Sequence, residues 1–141
     1  MQTTGSNHSE VIDLTPRAAA GRETSKGEAR RSCKFVLIEM NDRMHLVFGD
    51  ISSYRYHANL VDEFCRQRNV AAYWVKTPDL LLVLDPAVVV RGGGHLDLKP
   101  DEHKAKFSGS SKSYGGFRLA HLERTLQGDS PLASFDVHID S

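Results

Sequence analysis

Between Lys34 and Gln67 the spacing of apolar residues changes from about two to about 3.6, and this switch limits the chain to folds that combine strands with helices. The run KFVLIEMNDRMHLVFGD holds two apolar stretches parted by Asn41-Asp42-Arg43, which reads as strand, tight turn, strand. In the second stretch Met44, Leu46 and Phe48 alternate with His45, Val47 and Gly49, so one face is expected to be the more buried. HANLVDEFCRQR then sets His57, Leu60, Val61, Phe64 and Cys65 on one helical stripe, with Asp62, Glu63, Arg66 and Gln67 on the other side. Ser52 or Ser53 is a candidate cap if this helix starts early, and His57 falls in its first turn or at its entrance.

Downstream, Val70 to Lys76 and Leu80 to Leu84 read as strands joined at Thr77-Pro78-Asp79, and Ala87 to Val90 as another that begins after Asp85-Pro86. Three glycines, Gly92 to Gly94, follow. Short alternating runs surround a turn at Lys99-Pro100-Asp101-Glu102 and end in the polar loop Ser108 to Gly116. Leu119, Leu122 and Leu126 define a second helical stripe closed by Gly128; Phe135, Val137 and Ile139 alternate with Asp136, His138 and Asp140 in a last strand. These patterns predict an α/β protein: one compact domain with a mixed, roughly six-stranded sheet and two helices packed on it.

The length, 141 residues, suits a single core. Residues 1–32 are rich in Gly, Ser, Thr, Ala and charge and are expected to be a flexible leader, with the folded domain at 33–141. They contain no apolar signal segment, and Glu10, Asp13, Glu23 and Glu28 interrupt the charge pattern of a mitochondrial presequence. The stretch Asp79 to Arg91 is broken by Asp85-Pro86 and falls short of the roughly 18 residues that span a bilayer, so no membrane partner is expected. Eighteen Lys plus Arg balance eighteen Asp plus Glu, which leaves no long-range field to gather nucleic acid. With only Cys33 and Cys65, a disulfide framework is not expected and a reducing, cytoplasmic setting is. The chain is expected to be a monomer.

Several residues could handle an anion. A neutral imidazole at a helix entrance, His57, would sit beside free backbone N–H groups that favour phosphate and disfavour imidazolium, although such a histidine can also simply cover the core edge. The string SGSSKSYGG supplies the hydroxyls of Ser110, Ser111 and Ser113, the charge of Lys112 and glycines that let the chain turn its N–H groups inward; the plain alternative is a solvated loop. Gly92 to Gly94 permit close backbone approach or mark a bulge, with Arg91 and His95 flanking them. Lys34, at the start of the first core strand, is either an edge residue or a point charge beside phosphate. HExxH, CxxC, GxSxG and GxxxxGK[ST] are all missing, so neither a metal, a cofactor, a hydrolase elbow nor a P-loop is expected.

Taken in order, KFVLI, YHANL, GGGHL, SGSSKSYGG and FDVHI resemble the Janus/Ocnus family over about Lys34 to Ile139. The resemblance implies a protein phosphohistidine phosphatase that cleaves a P–N bond without a metal, acting on phosphohistidine-containing proteins, in some members on phospholysine, and releasing inorganic phosphate. The family's catalytic histidine, in a Tyr-His-Ala motif, matches His57; its strand-start lysine matches Lys34. Groups that hold phosphate oxygens match Ala58, Ser111 and Ser113. Two positions depart from the family pattern: His95 stands where an arginine is usual, and Ser110 where a tyrosine is common. Imidazole does not reproduce a guanidinium's fixed charge and fork, although Arg91 or Lys112 could compensate. A catalytically impaired phosphate or phosphopeptide-binding module is the alternative. Ala71 to Leu84 looks like an insertion that could alter substrate access or form an interface.

Overall fold

The computed structural model describes residues 9–15, 30–127 and 132–140. The strand-turn-strand pattern forms as read: β2 (Arg31–Met40) and β3 (Arg43–Asp50) are antiparallel and joined by a two-residue turn. Asn41 and Asp42 both take positive φ, 52° and 66°, the geometry whose twist matches that of the flanking strands. Helix α1 (His57–Gln67) follows. It is capped not by Ser52 or Ser53 but at Tyr56, whose N–H donates to Asn59 Oδ1 at 3.0 Å. Beyond α1 come β4 (Ala72–Lys76), β5 (Leu80–Val83) and β6 (Val88–Lys99). A single-turn 3₁₀ helix (Pro100–Glu102), β7 (Lys104–Ser108), the short β8 (Ser110–Ser111) and β9 (Gly115–Gly116), α2 (Leu119–Leu126) and β10 (Asp136–Asp140) complete the order.

The main sheet has six strands and is mixed, as expected for an α/β domain with two helices packed on it. The antiparallel strands β3-β2-β6-β7 form its centre, and β10 joins β7 in parallel at one end. At the other end lies β1 (Glu10–Asp13), parallel to β3. This strand, and residues Arg31 and Ser32 of β2, fall in the segment expected to be a flexible leader, so the sheet draws on more of the chain than 33–141. Their anchor is Arg31, which reaches Asp13 at 3.1 Å and Asp50 at 2.8 Å. Residues 1–8 and 16–29 lie outside the described residues, as does Gly128, the expected end of the second helix.

Strand β3 is buried on both faces, where one was expected to be the more buried. Met44, Leu46 and Phe48 join Phe35, Leu37, Leu96, Phe107 and Leu122 in the core beneath α2. On the opposite face Val47 packs with Val36, Ile38, Leu60, Val61 and Phe64 beneath α1. His45 stacks edge-on against Phe64 and is itself buried. Helices on both faces explain why alternation is weak here, since a strand buried on both sides has no polar face to show.

Strand β6 also differs from the reading. The three glycines do not end one strand and start another; they lie inside a single 12-residue strand. Val36 pairs with Gly93 and Ile38 with Val90, so β6 holds an extra residue opposite β2. Gly92 sits in that bulge at φ 107°, a backbone region that L side chains rarely adopt.

Phe35 is fully buried and meets Phe107 and Phe117 edge-to-face, each at 5.2 Å between centroids. Replacing it with Ala should lower stability by about 3–5 kcal/mol through lost burial and an unfilled cavity. Urea denaturation of Phe35→Ala would check this, and a loss below about 1 kcal/mol would contradict the central place given to this ring.

Candidate active site

The site begins with the first residue of α1. His57 is only 8% exposed, yet it lines a cleft of about 700 Å³. Its Nε2 lies 2.9 Å from the Gly94 carbonyl oxygen. A carbonyl can only accept, so Nε2 carries the hydrogen and Nδ1 keeps its lone pair. Burial pushes the His57 pKa down to about 4, and the nearby Lys34 and His95 add to this; the Gly94 contact opposes the shift without reversing it. The imidazole is therefore neutral across the physiological range.

The close seat of this ring depends on Gly93. A Cβ there would run into the Phe35 carbonyl oxygen and lie 3.1 Å from His57 Cδ2. The glycine run thus serves both readings that the sequence left open: a bulge at Gly92 and a close approach at Gly93.

Lys34 and His95 pair across β2 and β6, which sets their side chains on the same face as neighbours. Both line the cleft with His57, and the two imidazole rings lie 6.1 Å apart. Burial, then Lys34, lowers the His95 pKa, so this position supplies no fixed positive charge. Ser110, Ser111, Lys112 and Ser113 form the facing wall on the β8-β9 turn. Ser111 is 3% exposed, and its Oγ accepts from the Tyr114 N–H at 3.1 Å. Ser113 Oγ donates to the Asp79 carbonyl at 2.7 Å, so its proton is engaged in holding the wall.

Of the residues singled out in the sequence, Lys34, His57, His95, Ser110, Ser111, Lys112 and Ser113 come together. Ala58 follows His57 in the first helical turn, where N–H groups lack an acceptor one turn earlier, but its side chain is buried in the core beneath α1. Arg91 does not line the cleft: its guanidinium is 2.8 Å from Glu39. It therefore does not supply a guanidinium to the cleft beside His95.

The sequence reading missed Arg55, Lys76 and Asp79, which line the cleft with Tyr56, Val75 and Leu80. Arg55 could have been noticed two residues before His57; the others reach the site only through the hairpin. That hairpin, β4-β5, is the segment read as an insertion, and it forms its own two-stranded sheet. Tyr114 bolts it to the serine turn, donating to the Leu81 carbonyl at 2.7 Å and accepting from the Leu81 N–H at 3.0 Å.

Lys34, Arg55, Lys76 and Lys112 give the cleft four fixed cations; Asp79, its carboxylate, lies 3.6 Å from Lys76. The arrangement suits an anion carrying more than one negative charge. Among the described residues no group of three or more His, Cys, Asp or Glu side chains is placed to hold a metal ion, and no helix is long and apolar enough to cross a membrane. Cys33 and Cys65 are buried free thiols whose pKa values burial raises, so neither is primed as a nucleophile. No family model and no curated protein matches the chain.

The folded-state pKa of His57 lies below its unfolded value, so the ring should stay neutral until the pH falls to about 4. Following its ring resonances by NMR between pH 7 and 3.5 would test this; a midpoint near 6.5 would refute the burial argument.

Proposed function

We propose that this chain is a protein phosphohistidine phosphatase, hydrolysing a P–N bond without a metal, as the Janus/Ocnus resemblance implies. The observation that carries the reading is the neutral His57, held through Nε2 by Gly94, in a cleft with four fixed cations and a serine turn. In the proposed reaction the phosphoryl group sits between His57 and the Ser110 to Ser113 turn. Lys34, Arg55 and Lys112 balance the charge on its equatorial oxygens, and backbone N–H groups at the start of α1 add to them.

Nδ1 of His57 is the working atom in two routes. It takes a proton from water as the water oxygen attacks phosphorus, or it attacks phosphorus itself and forms a phosphohistidine that water then cleaves. In either route the P–N bonding pair leaves with the substrate imidazole, which departs neutral when its other nitrogen carries a proton. A nitrogen that binds a proton only near pH 4 is unprotonated at neutral pH, so its lone pair is available in both routes. For phospholysine, which the resemblance also implies for some members, the amine leaving group would need a proton of its own.

The second reading is a phosphate or phosphopeptide-binding module that has lost turnover. The feature in its favour is His95, whose lowered pKa leaves no cation where the family carries an arginine. It predicts saturable phosphate binding with no release of phosphate from any substrate.

His57→Ala should lower phosphohistidine turnover by at least about a hundredfold, the scale of losing an acid-base or nucleophilic group, in a variant that circular dichroism shows folded. Unchanged turnover would remove His57 from the chemistry. Lys34→Met should mainly raise KM, since its charge binds the phosphate before reaction; a fall in kcat alone would contradict that role. Para-nitrophenyl phosphate serves as the P–O control.

A further inference from the structure

A second cleft, of about 440 Å³, lies against the outer half of the main sheet. Arg30, Lys99, Lys104 and Lys106 line it together with Asp97 and Asp136. Its lining holds four fixed cations against two carboxylates, and one of the four, Lys104, lies 3.7 Å from Glu102. Strand periodicity relates it to the first cleft: Asp97 and Lys99 project from β6 on the same side as His95, at successive two-residue steps of about 7 Å. The alternating burial of this stretch supports the pattern, since Leu96 and Leu98 are buried on the opposite face in the core beneath α2. Lys106 lies opposite Asp97 on β7, and His138 beside Lys106 on β10, which widens the same polar face. The core that α1 covers on this side is built from β2, β3, β5 and the start of β6, and includes no residue of β7 or β10.

We infer that the open face of β6 and β7, where Lys99, Lys104 and Lys106 gather, docks an acidic segment flanking the phosphorylated residue of a protein substrate. The inference rests on the phosphatase reading for the identity of the substrate, while the docking surface rests on charge and placement alone. A residue held at His57 and a flank running along β6 would reach the second cleft within a few residues. Asp97 and Asp136 interrupt the positive charge, which suits a peptide whose acidic side chains are spaced to fall beside the lysines and opposes the unbroken phosphate backbone of a nucleic acid. The chain's zero formal net charge likewise supplies attraction only locally.

The test uses the full chain and a double variant, Lys99→Glu with Lys106→Glu, alongside Lys99→Gln with Lys106→Gln in case charge reversal disturbs the sheet. Two substrates are compared: phosphoramidate, which is too small to span both clefts, and phosphohistidine peptides with an acidic or a neutral flank. The substitutions should raise KM for the acidic peptide about tenfold, with phosphoramidate turnover changed less than about twofold, and should flatten the salt dependence of the peptide reaction. Anisotropy of a labelled, unphosphorylated acidic peptide reads docking without chemistry, and the variants should weaken that binding by a similar factor. Binding that is indifferent to the flank or to the substitutions would overturn the inference, as would an oligonucleotide that binds more tightly than the acidic peptide. Absence of turnover with flank-dependent binding intact would sink the phosphatase reading and uphold the docking surface.

Discussion

The site depends on one contact: the imidazole of His57 against the glycine-lined middle of β6. The Nε2–H bond to Gly94 fixes which nitrogen keeps a lone pair, while Gly93 leaves room for the ring and the bulge at Gly92 lets the strand pass. The ring's low pKa follows from the same seat, because a histidine held this close to the sheet loses most of its water. Position, tautomer and charge state thus share one physical cause.

Around that contact the remaining groups arrive from separate parts of the chain. Register in the main sheet brings Lys34 and His95 side by side, and the tie from Tyr114 to Leu81 brings the serine turn up to the hairpin. The hairpin therefore acts as a wall rather than an appendage: Val75, Lys76, Asp79 and Leu80 come from it. Its outer side chains Tyr73, Leu82 and Leu84 remain exposed, as befits a two-stranded ribbon with one face on the core. The face beyond the cleft stays polar because α1 covers only part of the sheet.

Most of the fold was legible where local pattern and tertiary role agree. The Asn41-Asp42 turn, the stripe of α1, the pairing of β4 with β5 and the last strand follow from period and turn chemistry. Local pattern fell short where long-range pairing decided the outcome. Val11, Ile12 and Leu14 are too few to form structure alone, and they are ordered by an existing edge on β3 and by the Arg31 link between Asp13 and Asp50. The two buried faces of β3 were hidden for a related reason, since its second cover comes from a helix more than 60 residues later.

By itself the sequence determined the element types, the α/β class and the residue types able to hold an anion, because these follow from hydrophobic period, backbone preference and side-chain chemistry. It also marked His57, Lys34 and the serine turn, which sit at the ends of recognisable elements. Only the tertiary structure decided that Arg91 is taken by Glu39, that Arg55 and the hairpin complete the cleft, and that His57 is neutral. Those outcomes depend on distances between residues far apart in the chain and on how much water each retains, and neither quantity is written in local sequence.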